Sequence, residues 1–485
     1  MQSINKRLFS NTLLYTIGEV VPRIIAFLMM PIFTRYLLPE DYGILSYTNS
    51  VIAFIFAFCT LSLNTYVHRF YFDCNTEEEK KRLIGNIFLF IAITNLFVLV
   101  FLNITGPIIV RKANITVPWK PCLRFAIFNN FLESFSIIPM VYYRVKQNAK
   151  AFVGISVGRC IIQYIFTYVM LVPMRMGLIS QYYGRVFTLL PFFFVYIIII
   201  LKNGKINFNA HQIKSGLKYS LPLLPGTMSY LVLTSLDRII LERYVTLDVI
   251  GIYNVAYTIA FAMNMVIQSF YRAFEPNIFQ KYTDCGNGVE FVSYMRRMNN
   301  IYNFALYALA LLLSLFAKEA LVIVTSEKYY SAAVYVPPVL VGVIFAGRKL
   351  IMDCALAAEK RSVISGIGTM AGAGISIITN SLLIPRIGVI SAPIALATSY
   401  LVMIIYVKIF TRIKFFSNLQ DVFAILIFFA ASILPMLNLK INEFALIGIK
   451  IALYVLCMGL LFLNFHITDF IQSYKKESYV SNKNL

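Results

Sequence analysis

An all-α integral membrane protein of about 14 transmembrane helices follows from three observations. Only 13% of the 485 residues are charged and 59% are hydrophobic, with a mean hydropathy of +0.74. A soluble domain carries roughly 25% charged residues, so this chain cannot clothe a soluble surface of its size. The apolar residues also fall in solid runs of ~20, the length a helix needs to cross ~30 Å of hydrocarbon at ~1.5 Å per residue. Finally, a transmembrane barrel would alternate apolar and polar positions over ~10 residues, and these runs do not.

The runs fall at 11–33, 44–67, 83–105, 120–142, 152–173, 180–201, 217–241, 251–273, 298–317, 335–355, 363–384, 391–410, 422–439 and 445–464. The first follows Lys6-Arg7 without a small-residue cleavage site, so it reads as a retained span and not a cleaved signal. A net charge of +21 would point to nucleic acid in a soluble protein. Here the positive-inside rule explains it. With the N-terminus inside, most of the 43 basic residues fall on one side, in runs such as Lys80-Lys81-Arg82, Arg144 to Lys150 and Lys202 to Lys218. An even number of spans returns the tail, with Lys475-Lys476, to the cytoplasm. No nucleic-acid partner is needed. Trp119, the only tryptophan, falls at an expected outer interface, where it would anchor.

The seven cysteines show no CxxC spacing, and no HExxH or Cys/His cluster exists, so neither a disulfide framework nor a metal is expected. His68, His211 and His466 lie outside the apolar runs.

The chain repeats itself. "RYLLPEDYGI" from Arg35 matches "RYVTLDVIGI" from Arg243 without a gap, at an offset of 208 residues. "LVPMRMGLIS" from Leu171 matches "LIPRIGVIS" from Leu383 with one gap, at nearly the same offset. Two matches in corresponding loops of six-helix blocks make spans 1–6 and 7–12 copies. An even number of spans per block gives both copies one orientation, so they form two parallel six-helix lobes around a cavity, with two C-terminal helices added. The expected organisation is 1–207, 208–415 and 416–485. A duplicated body around a cavity is a transporter layout.

Charges inside a bilayer cost ~2.5–3.5 kcal/mol each on insertion scales, so they face protein, water or a ligand. Span 1 holds Glu19 and Arg23, one turn apart across Pro22, with Gly18 offering Pro22 the least obstruction. They form either a structural ion pair or a cavity site in which Arg23 meets an anion. Arg159 in span 5 has no acid within four residues, and Glu133 in span 4 is the available partner. Arg124 and Arg185 lie near enough to the outer face to snorkel. Arg348, Lys349 and Asp353 share span 10, and Asp237-Arg238 sit towards the outer end of span 7. The excess of base over acid suits a phosphate-bearing substrate, since arginine pairs with phosphate bidentately. At offset 208, Thr227 and Leu231 replace Glu19 and Arg23, so that pair is not part of the repeated scaffold.

The runs "TRYLLPEDYGILSY", "DRIILERYVTLDVIGIYNVAYTIA" and "AEKRS…NSLLIPRIGVISAPIALATSY" resemble the polysaccharide (O-antigen) flippases of the multidrug, oligosaccharidyl-lipid and polysaccharide exporter superfamily. The resemblance implies two lobes, alternating access and no covalent chemistry. It implies a cationic cavity that carries the sugar and pyrophosphate head of an undecaprenyl-linked glycan from the cytoplasmic to the periplasmic face of the inner membrane. The lipid tail stays in the bilayer. Arg23 and Arg159 match cavity arginines, and Glu19, Glu133, Arg124, Arg348, Lys349 and Asp353 are further candidates. Relatives that flip lipid II carry a cation site among helices 7, 11 and 12, for which Asp237, Asn380 and Thr398 are the polar candidates here, with Na+ or H+ as the coupling ion. A polysaccharide polymerase is the implied protein partner. A cation-coupled multidrug antiporter of the same superfamily would need an acidic cavity. A membrane glycan polymerase or ligase would need a long outer loop, and the longest here, 317–335, holds only four charges.

Overall fold

A computed structural model describes residues 2–411, 418–433 and 442–467. The C-terminal tail with Lys475-Lys476 lies outside the described residues. The chain forms two compact units, Met1–Gly251 with Val324–Lys328, and Ile252–Ile323 with Tyr329–Leu485.

The first unit begins with α1 (Gln2–Leu28), which stays helical through Pro22 and breaks at Met29 before α2 (Met30–Tyr36). α3 (Pro39–Thr60) and α4 (Leu63–Phe70), joined through Leu61 and Ser62 at positive φ, lead to α5 (Glu77–Lys112). α5 starts on a capping box: the Thr76 hydroxyl accepts from Glu79 N at 3.1 Å while the Glu79 carboxylate takes Thr76 N at 3.3 Å. The expected span 120–142 is not one helix. A π turn at Trp119–Leu123 precedes α6 (Arg124–Ser134), and a break at Phe135-Ser136 separates it from α7 (Ile137–Val145). Trp119 has a packing role: its ring covers Gly106 of α5, where any β-carbon would lie 2.0 Å from it. Long helices α8 (Ala149–Leu171) and α9 (Ile179–Asn203) follow, then α10 (Ala210–Ser220) and α11 (Leu224–Leu241).

The core of this unit is built by α4, α5, α7 and α9, around Leu63, Ile84, Ile87, Phe135, Ile138 and Tyr196. At one end of α5, Glu77 bridges Lys80 and Lys146 and Glu78 bridges Arg82 and Lys205, all at 2.8–2.9 Å. The Glu77 carboxylate holds the Lys146 ammonium protonated above its ordinary range. The lipid-facing surfaces carry large apolar side chains: Phe97, Ile104, Ile165 and Phe194 are more than half exposed. Water would not tolerate that density, and a hydrocarbon solvent would.

α12 (Leu247–Cys285) starts in the first unit and runs into the second. There it is followed by α13 (Val289–Leu315), α14 (Ala317–Val324), α15 (Val336–Ala358), α16 (Ser362–Ile387), α17 (Ser391–Phe410), α18 (Asn418–Ile433) and α19 (Glu443–Asn464). α15 packs on α17, α16 on α17, and α13 on α15, α18 and α19. Among the described residues, nine helical stretches are long and apolar enough to cross a membrane, and Leu419–Ile433 is a shorter apolar helix. The protein is a multi-pass membrane protein.

The sequence repeat has a structural counterpart. Pro39 opens α3 and Leu247 opens α12, at the offset of the matched decapeptides. In the second match, Gly177 and Gly388 both adopt left-handed backbone, φ +56° and +63°, at the corners before α9 and α17. Only glycine takes that geometry cheaply. The first unit also holds a reciprocal contact. A β-carbon on Gly43 would lie 1.8 Å from the Leu247 carbonyl oxygen, and one on Gly251 would lie 1.9 Å from the Pro39 carbonyl oxygen. Repeat-equivalent residues thus touch each other in both directions, the signature of a local two-fold relation.

Candidate functional site

The first unit contains a cavity of about 380 Å³ between α1, α7, α8 and α9, lined by Glu19, Arg23, Ser156, Arg159, Gln163 and Tyr196. The sequence places Glu19 opposite Arg23, but the structure draws Glu19 elsewhere. Its Oε1 accepts from Arg144 Nη2 of α7 at 2.7 Å. The cause starts at Gly18. With no side chain there, the Phe152 ring of α8 packs 3.0 Å from where a β-carbon would stand. The Arg144 guanidinium lies over that ring, 4.8 Å from its centre, and this cation–π contact delivers it to Glu19. Gly18 therefore serves the α1–α8 packing as well as Pro22. Arg23 is left in the cavity wall with no carboxylate in ion-pairing distance among the described residues.

Arg159 pairs with Glu133 across α8 and α6, as the depth of both residues demands. A guanidinium has five N–H donors, so this bond leaves others for a second anion. Arg159 and Gln163 also line a second cavity, of about 610 Å³, bounded by α3, α4, α6, α8, α9 and α11. Its wall includes Asn49, Phe56, Asn129, Asn130 and Arg185. Arg185 lines this wall and donates Nη1 to Asn49 Oδ1 at 3.0 Å. Thr227 and Leu231, the repeat equivalents of Glu19 and Arg23, line it too.

The other expected residues lie apart from these cavities. Arg124 is exposed at the start of α6 and lines neither cavity. In the second unit, Arg348 is buried and pairs with Asp421 of α18. Lys349 pairs with Asp353 at 2.6 Å and donates to Ser365 at 3.3 Å and Thr369 at 3.1 Å of α16. Ser365 in turn donates to Asp353 at 2.6 Å, so this cluster satisfies itself. A cavity of about 470 Å³ beside Arg348, Asp421 and Lys408 is otherwise walled by Phe345 of α15 and aliphatic residues of α17 and α18.

For the cation candidates, Asp237 in the first unit takes Arg238 Nη1 at 2.9 Å. Asn380 and Thr398 are in the second unit, where Asn380 donates to Ser376 O and Thr398 to Ile394 O, each at 2.9 Å. Among the described residues, no group of three or more His, Cys, Asp or Glu side chains is placed to hold a metal.

Sequence reasoning missed Arg144, Asn129, Asn130 and Gln163. A search for charge passes over carboxamides, although the doublet Asn129-Asn130 inside an apolar run was there to be seen. Arg144 was assigned to a loop, and only the Gly18–Phe152 packing brings it to α1.

Comparisons with known proteins bear on the family and the fold. Residues 8–281 match the sequence profile of the family described as polysaccharide biosynthesis protein. A curated protein of the Lsg locus of Haemophilus influenzae is 21% identical over 280 residues, 56% of this chain and 66% of that protein, so the match spans just under two thirds of the relative's length. Among solved structures, the lipid II flippase MurJ in an inward closed conformation superposes with a TM-score of 0.71 at 16% identity, covering 95% of this chain and all of that one. An inward-facing multidrug resistance transporter of the MATE family superposes with a TM-score of 0.62 at 13% identity, covering 81% of this chain and 97% of that one. This chain is similar to those two in fold. With its profile match running through α1 to α11 and both cavities, this chain belongs to the polysaccharide biosynthesis protein family, with a fold similar to those of MurJ and the MATE-family transporter.

Proposed function

We propose that the protein is a flippase for undecaprenyl-pyrophosphate-linked oligosaccharide, an O-antigen, capsule or related unit, and that it moves its substrate from the cytoplasmic to the periplasmic face of the inner membrane. The carrying observation is Arg23, an intramembrane arginine that lines the same cavity as Arg159 and has no carboxylate in ion-pairing distance among the described residues. A pyrophosphate offers two anionic groups to such a pair, and bidentate guanidinium contacts suit it. A cationic drug would meet Arg23, Arg159 and Arg185 against only Glu19 and Glu133, which makes the antiporter reading the poorer match.

In this reading the termini lie in the cytoplasm and the head group moves by alternating access. An inside-negative potential favours outward movement of an anionic head by ~2.3 kcal/mol per charge per 100 mV. Exchange for Na+ or H+, with Asp237 as the cation ligand, is the other energy source within the proposal. A polysaccharide polymerase would take the product. The test is Arg23→Gln in cells: surface glycan should be lost while the protein stays abundant in the membrane. Normal export by that variant would overturn the reading.

A further inference from the structure

The smaller cavity of the first unit carries a carboxylate where an anion is to bind. Glu19 lines it together with Arg23 and Arg159. All three side chains reach accessible surface: Arg23 is exposed, and those of Arg159 and Glu19 are 26% and 29% exposed. A bare Glu19 would repel a pyrophosphate held by these arginines. Like charges oppose each other more strongly in such a site than in bulk water.

Glu19 is met by Arg144, whose Nη2 donates to its Oε1 at 2.7 Å. Arg144 is not part of the cavity lining. Three helices fix its place. Its guanidinium lies 4.8 Å from the centre of the Phe152 ring of α8. That ring meets Tyr15 of α1 edge-on at 5.4 Å. The Tyr15 hydroxyl donates at 3.4 Å to the carbonyl of Tyr143, the residue before Arg144 in α7. A partly exposed ion pair adds little stability. Its larger effect is on the charge that the cavity wall presents.

The repeat carries an independent sign of this. The counterpart of Glu19 at offset 208 is Thr227, which has no charge. The two motif matches run at offsets from 208 to 212, so the counterpart of Arg144 falls within 352–356, Met-Asp-Cys-Ala-Leu, which holds no base. The first copy has both members of the pair and the second has neither. An arginine placed only for packing would have no reason to follow the carboxylate.

We infer that Arg144 is a positioning residue for the anion site: from outside the lining it neutralises Glu19, and so lets Arg23 and Arg159 hold a pyrophosphate that the Glu19 carboxylate would otherwise repel. The inference rests on the flippase reading and divides the arginines by role. Arg23 and Arg159 meet the ligand, and Arg144 acts through Glu19.

The experiment titrates farnesyl pyrophosphate into the full chain in lipid nanodiscs. Arg144→Gln should bind about fivefold more weakly than the wild type. Arg144→Lys, which keeps the charge, should retain most of the affinity. Glu19→Gln should bind at least as tightly as the wild type. The double variant Glu19→Gln with Arg144→Gln should return to within about twofold of the wild type. It also lacks the guanidinium on Phe152, so its recovery separates charge from packing. Wild-type affinity in folded Arg144→Gln protein would overturn the inference, as would a double variant no better than Arg144→Gln. If Arg144→Gln does not fold, Glu19→Gln decides: weaker binding by that variant contradicts a repelling carboxylate. The flippase reading fails separately, if the folded wild type does not bind the probe or if Arg23→Gln binds it as well as the wild type does.

Discussion

Adding one methyl group at Gly43 should destabilise the protein by an amount the structure sets. An alanine Cβ there would sit 1.8 Å from the Leu247 carbonyl oxygen and 2.6 Å from its carbon, whereas ordinary contact begins at 3.4 Å. Backbone cannot swing aside as a side chain can, so α3 and the start of α12 must part by about 1.5 Å, an overlap that overpacking data value at ~1–3 kcal/mol or more. Against this, alanine gains ~0.5–1 kcal/mol over glycine inside a helix. The net loss is about 1–2 kcal/mol, a several-fold shift towards unfolding. Gly154 of α8 is the internal control, because nothing lies within 4 Å of its added Cβ. Gly154→Ala should be neutral or stabilising by the helix term alone. The assay is the temperature at which half the detergent-solubilised protein remains monodisperse, read for both variants. Gly251→Ala should match Gly43→Ala, and the double variant should lose less than the sum, since both methyls break one contact. Equal midpoints for Gly43→Ala and Gly154→Ala would refute the close approach.

Other outcomes follow from the ion pairs. Asp421→Asn should strip Arg348 of its buried carboxylate and cost ~3–5 kcal/mol, seen as lost membrane abundance, while Arg348→Met with Asp421→Leu should recover most of it. Glu19→Gln should cost under about 1 kcal/mol by the same thermal assay, since both side chains are partly exposed and the Arg144 guanidinium keeps its seat on Phe152, whereas Arg144→Gln, which loses that seat as well, should cost more. Glu133→Gln should leave Arg159 more available and hold or raise farnesyl pyrophosphate affinity, whereas Arg159→Gln should lower it at least tenfold, both read by titration in nanodiscs. If Asp237 couples a cation, Asp237→Asn should remove any dependence of transport on external Na+ or pH, and transport indifferent to both in the wild type would end that idea.

The repeat was legible because backbone constraint leaves a mark on sequence. The glycines at 177 and 388 hold positive φ, and Pro39 and Leu247 each open a helix, so short motifs survived where the rest diverged. Membrane class and intramembrane arginines were legible because both are compositional. The partner of each charge was not. Helical spacing pointed Glu19 to Arg23, but a contact 125 residues away, set by a ring packing on Gly18, took the carboxylate instead. Arg159 had no local acid and so needed a distant one, which is how Glu133 could be named. Span 4 read as continuous because hydropathy does not register the break at Phe135-Ser136. The carboxamide wall escaped notice for the same reason: asparagine carries no charge, and its burial is a property of packing.

Reconstitution tests the central claim most directly. The full chain is placed in proteoliposomes with a fluorescent polyprenyl-pyrophosphate glycan, and the fraction reaching the opposite leaflet is followed with a membrane-impermeant quencher. Wild-type protein should move the labelled lipid at a rate well above protein-free vesicles, and Arg23→Gln protein, equally abundant and equally folded, should fall to the background rate. Wild-type vesicles no faster than empty ones, or an Arg23→Gln variant as fast as the wild type, would contradict the account.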